Sequence, residues 1–91
     1  PVSRILVIED ERSIASAIAA RLRSEGYEVY TAFDGPSGLE SYARQQPDLV
    51  VLDLMLPGLD GIEVCQRIQS DRAVPVLMLT AKDQRPSRKL A

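Results

Sequence analysis

The feature that most constrains this chain is an alternation between two hydrophobic periods. Short, continuous apolar runs of strand length are separated by segments whose apolar residues recur at helical spacing. Ile5 to Ile8 is the first run, and it ends in Glu9, Asp10 and Glu11. Ile14, Ala15, Ile18, Ala19 and Leu22 then fall on one face of a helix, with Gly26 just past its end. Glu28 to Ala32 predicts a second strand, broken by Asp34-Gly35-Pro36. Pro36 suits the first turn of a second helix, which runs through Arg44 and stops at Gln46-Pro47. Leu49 to Leu52 predicts a third buried strand with Asp53 at its end. A loop from Leu54 to Gly61 leads into a third helix through about Ile68, with either Ile62, Cys65 and Ile68 or Val64 and Ile68 as its inner face. Pro75 introduces a fourth strand, Val76 to Thr80. The order βαβαβαβ specifies an α/β fold, a parallel sheet wound right-handedly with helices packed on it.

In such sheets ligands bind outside the carboxyl ends of the strands, at a topological switch point. Glu9 and Asp10 end the first strand, Asp53 ends the third and Thr80 ends the fourth, so all four are expected on one edge. Three carboxylates crowded there repel one another, so either their pKa values rise or a cation joins them. A hard divalent ion fits best, because Mg2+ takes oxygen ligands and often combines one or two carboxylates with phosphate and water. Aspartate is also a nucleophile in phosphoryl transfer. Asp53 is the best placed of the three, after a buried apolar run and before a Pro/Gly loop.

Composition narrows the remaining classes. The 91 residues support one domain with ordinary globular values, 45% hydrophobic and 26% charged. A net charge of -2 disfavours nucleic-acid binding by this chain, and its one basic cluster, Arg85, Arg88 and Lys89, reads as solvated tail. No histidine is present, which excludes a Ser-His-Asp or Cys-His triad and a His-ligated zinc site within the chain. The single cysteine, Cys65, cannot form an internal disulfide and reads as a small core hydrophobe. Met78 reads as packing, and Pro57 and Gly58 as loop-shaping residues. No apolar run is long enough to span a bilayer and no signal peptide is evident, so a cytoplasmic location is expected. The absence of a Gly-rich loop after the first strand disfavours a nucleotide-binding fold.

The segments "ILVIEDE", "PDLVVLDLMLPGLDGIEV" and "VPVLMLTAKD" carry a specific resemblance over about residues 3 to 83. They resemble the receiver domain of two-component response regulators, most closely those with a winged-helix DNA-binding output domain. The resemblance implies a flavodoxin-like, CheY-like doubly wound sheet, Mg2+ as cofactor, and phosphoryl transfer from a sensor histidine kinase to regulate a transcriptional output. Asp53 matches the phosphoacceptor. Asp10 matches a direct metal ligand, Glu9 one acting through water, and Met55 a position whose backbone carbonyl is a ligand. Thr80 matches the switch hydroxyl, and Ala81 the small residue that keeps the pocket open. Such a module is not an enzyme on external substrates; it catalyses only its own phosphorylation and dephosphorylation. Phosphohydrolases with an aspartate nucleophile usually carry a second acid two residues on, where this chain has Met55.

Where the chain departs from the family pattern, further expectations follow. Residues 1–83 read as a receiver domain of about four strands and three helices, without the fifth strand, its lysine and the last helices. Residues 84–91 read as a tail unlike the family, with Lys89-Leu90-Ala91 of the kind cloning leaves. Without a fifth strand, Val76 to Thr80 becomes an apolar edge, and self-association through it is expected. The alternative function is a protein-binding module that works independently of phosphorylation, because the switch is incomplete.

Overall fold

Residues 5–8 are fully buried, which only a strand covered on both faces allows. The computed structural model describes residues 2–79. Its elements are β1 (Arg4–Ile8), α1 (Arg12–Ser24), β2 (Glu28–Ala32), α2 (Gly35–Gln45), β3 (Leu49–Asp53), α3 (Gly61–Asp71) and β4 (Val76–Leu79). All strand pairings are parallel, and the sheet order is β2-β1-β3-β4. The chain therefore runs outward from β1 to β2, then crosses back to β3, which places the switch point between β1 and β3.

Alternation along each strand divides the core into two layers. Ile5, Val7, Val29 and Val51 pack with Ala19 of α1 on one face. Leu6, Ile8, Val50 and Leu52 pack with Tyr42 of α2 and with Val64 and Ile68 of α3 on the other. Each such aliphatic side chain, taken fully out of water, contributes about 1.5–3 kcal/mol. The small residues Ala15 and Ala19 are the buried positions of α1, so this helix lies close to the sheet.

Helix ends follow local chemistry. Asp34 caps α2 by accepting from the Ser37 amide at 2.7 Å, and Asp60 caps α3 by accepting from Ile62 and Glu63. Gln46, at φ 48°, closes α2 just before Pro47. Gly26, at φ +97°, follows the end of α1.

One expected boundary needs correction. The third helix continues past Ile68 to Asp71, where the extended Arg72 ends it. Its inner face is Val64 and Ile68, with Cys65 packed alongside, while Ile62 is 55% exposed. Asp60 fixes the start of the helix, and that phase turns Ile62 outward. The fourth strand is described through Leu79. It is an edge of the described sheet, and Leu77 on it is exposed. Thr80, Ala81 and the tail 84–91 lie outside the described residues. No described helix is long and apolar enough to cross a membrane.

Candidate functional site

Register and pleat together build the site. Ile8 pairs with Leu52, so one residue further on Glu9 comes alongside Asp53. Both continue the alternation that points Ile5, Val7 and Val51 toward α1, so their side chains share a face. The Glu9 amide still donates to the Ala32 carbonyl at 3.0 Å, which holds Glu9 to the sheet beyond the end of β1. Asp10, one residue on, is half-buried at the mouth. One carboxylate oxygen from each of Glu9, Asp10 and Asp53 lies within 4.8 Å of the others. Glu9 and Asp53 are each 0% exposed.

Burial of this much negative charge needs compensation. At an effective dielectric of ~20, two carboxylates this close repel by about 3 kcal/mol or more. Backbone amides supply part of the answer. Glu9 accepts from the Glu11 amide at 2.9 Å, a bond that also folds the turn into α1. One oxygen of Asp53 accepts from the Met55 amide at 3.0 Å. An all-oxygen set of this size, at a strand-end switch point, fits a hard divalent cation, and Glu9, Asp10 and Asp53 are the residues that could hold one.

The structure thus brings together the three carboxylates expected on one edge and sets Met55, a residue 49% exposed, beside them. Thr80 and Ala81 lie outside the described residues.

Three features of the site escape sequence reasoning. Gly61 opens α3 directly against β3: its amide donates to the Leu54 carbonyl at 2.9 Å. A Cβ there would lie 2.5 Å from the Asp53 carbonyl oxygen and 2.5 Å from the Leu54 Cα. The Asp60-Gly61 pair, read as a cap before a helix, could have signalled the start of α3 but not this approach. Arg12 stacks its guanidinium 4.0 Å from the centroid of the Phe33 ring, pinning the start of α1 to the end of β2. No local pattern announces that pair. The first turn of α2 also meets the loop after Asp53, with the Gly35 amide 3.5 Å from the Pro57 carbonyl oxygen.

Comparisons with known proteins agree with this geometry. The family described as the response regulator receiver domain matches residues 5–91. The chain is similar to the N-terminal domain of a response regulator receiver protein from Methanoculleus marisnigri JR1. Identity there is 42% and the TM-score 0.82, covering 89% of this chain and 68% of that one. It is also similar to the BeF3-activated N-terminal receiver domain of RstA from Klebsiella pneumoniae, at 34% identity and a TM-score of 0.80, covering 84% of this chain and 65% of that one. The N-terminal domain of an uncharacterized protein from Wolinella succinogenes matches at 28% identity and a TM-score of 0.80, covering 86% and 64%. The chain thus spans about two-thirds of the length of these three structures.

Proposed function

This chain belongs to the response regulator receiver domain family, and on that premise we propose that it is a phosphoacceptor switch whose Asp53 takes a phosphoryl group from a sensor histidine kinase. The observation that carries the reading is the carboxylate cluster at the β1/β3 switch point, with Glu9, Asp10 and Asp53 within 4.8 Å.

Asp53 is the attacking residue. One of its oxygens is oriented by the Met55 amide, and the rigid end of β3 holds its backbone. As an Asp53 oxygen bonds to phosphorus, the phosphorus–nitrogen bond of the donor breaks, and its electron pair leaves with the imidazole nitrogen. Glu9 and Asp10 stand beside it as the further oxygen donors for the cation. Asp10, Asp53 and the Met55 carbonyl, with Glu9 through water, are the groups that would hold Mg2+, which when bound would supply charge neutralisation at the transferring oxygens. The switch roles of Thr80 and Ala81 rest on the family resemblance. So does the winged-helix transcriptional output. Pairing of two copies through the β4 edge draws support from the position of β4 in the sheet and the exposed Leu77.

The test is phosphorylation by a small-molecule phosphodonor with Mg2+. Wild type should incorporate acid-labile phosphate, and Asp53→Asn, which keeps the shape but removes the anionic oxygen, should fall to background. Undiminished labelling of the variant removes Asp53 as acceptor. Absence of labelling in wild type favours the phosphorylation-independent binding module instead.

A further inference from the structure

The carboxylate of Asp53 is held in part by the loop that follows it. Residues 54–60 carry no helix or strand, yet they supply the Met55 amide that holds an Asp53 oxygen at 3.0 Å. At its far end the loop is fixed by the cap of α3. In its middle the loop rests on the first turn of α2. The Gly35 amide faces the Pro57 carbonyl oxygen at 3.5 Å. A Cβ on Gly35 would lie 2.7 Å from the Leu59 Cβ, 3.2 Å from the Leu59 carbonyl oxygen and 3.2 Å from the Val64 Cγ2. One residue on, the Pro36 ring lies against Gly58, where a Cβ would come within 3.0 Å of the Pro36 Cδ. The first turn of α2 is thus a seat shaped to the loop, and only the absence of a side chain at position 35 lets the loop come down onto it.

We propose that Gly35 is a positioning residue: by letting the 54–60 loop seat on α2, it sets where the Met55 amide, and through it the Asp53 carboxylate, is held. The inference builds on the phosphoacceptor reading of Asp53, but its first test does not depend on phosphorylation. Helix propensity favours alanine over glycine, so harm from Gly35→Ala comes from the displaced loop and not from α2 itself.

The experiment compares amide spectra of the ligand-free chain with those of Gly35→Ala and of a control, Gly26→Ala. Gly26 has φ +97° and nothing within 4 Å of its Cβ position, so the control is strained far from the loop. Gly35→Ala should shift the Met55 and Gly61 amides, while Gly26→Ala lowers the melting temperature and leaves Met55 in place. Pro36→Ala, which only removes atoms, should move Met55 by a smaller amount and serves if Gly35→Ala does not fold. Shifts confined to α2 and Leu59, or equal Met55 shifts in the control, overturn the proposal. A second readout is Mg2+ affinity measured well below the melting temperature. Gly35→Ala should bind about tenfold more weakly, the low end of what loss of an outer partner costs a metal site, and Gly26→Ala should match wild type. Wild-type affinity in Gly35→Ala also overturns it. Failure of wild type to accept phosphate would remove the phosphoacceptor reading and leave the Met55 result standing.

Discussion

Gly61 shows how a single residue decides whether the site closes. The three nearest atoms that a Cβ at this position would meet belong to the backbone of Asp53 and Leu54, the farthest of them at 2.8 Å. No side chain can swing away to relieve them. Gly61→Ala therefore forces α3 off the end of β3 and weakens the Gly61–Leu54 hydrogen bond. Overpacking of this kind costs about 1–3 kcal/mol, against less than about 1 kcal/mol returned by better helix propensity. Sterics win, and we expect a net loss of about 1 kcal/mol. A lower urea midpoint with an unchanged m-value would confirm it, and a midpoint equal to that of wild type would contradict it.

Among the elements, α2 and α3 are joined at their far ends from the site. The Tyr42 hydroxyl of α2 donates to the Asp71 carboxylate of α3 at 2.7 Å. Arg72 stacks over the Tyr42 ring and donates to the Pro47 carbonyl at 2.8 Å, tying the end of α3 to the approach to β3. Burial, and then the bond to Asp71, raise the Tyr42 hydroxyl above its ordinary pKa of 10.0. The folded state therefore favours the neutral phenol. This contribution is fully present below pH 10.0 and is lost as pH rises through the folded value. Tyr42→Phe keeps the ring and removes the hydroxyl, at a cost of about 1 kcal/mol near neutral pH. The gap in melting temperature between wild type and variant should narrow as the pH is taken above 10.0; a constant gap would refute the assignment.

At the scale of the whole molecule, the acidic cluster couples folding to cation binding. Asp53 ends β3, while Glu9 and Asp10 lie in the turn after β1, and these segments meet only in the folded chain. A divalent cation held by all three binds the native state and stabilises it by mass action. At 100 times its Kd the gain is about 2.7 kcal/mol, which for a domain of this size raises Tm on the order of 10 °C. Asp10→Ala should remove most of that rise while leaving the fold intact, because Asp10 stands at the mouth and not in the core. Thermal melts in MgCl2, against NaCl of equal ionic strength, measure it. A flat Tm across the titration would argue against the site.

Much of this protein is written locally. Four apolar runs separated by helical periods define the order of elements, and proline and glycine punctuation places most boundaries. The acidic residues at the ends of the first and third strands mark the edge where chemistry would occur. These properties depend on neighbours a few residues apart, which a linear pattern records directly. Tertiary structure decided the rest. Glu9 stands beside Asp53 because Ile8 pairs with Leu52 and both strands present the same face there, and no pattern within either strand encodes that register. The choice of Val64 over Ile62 as the inner face of α3 followed from where Asp60 starts the helix. The close approaches at Gly35 and Gly61, and the Arg12–Phe33 stack, depend on how distant segments are brought together. The carboxylates were legible because charge at a strand end is a property of one position; the packing that aims them was not, because it is a property of pairs.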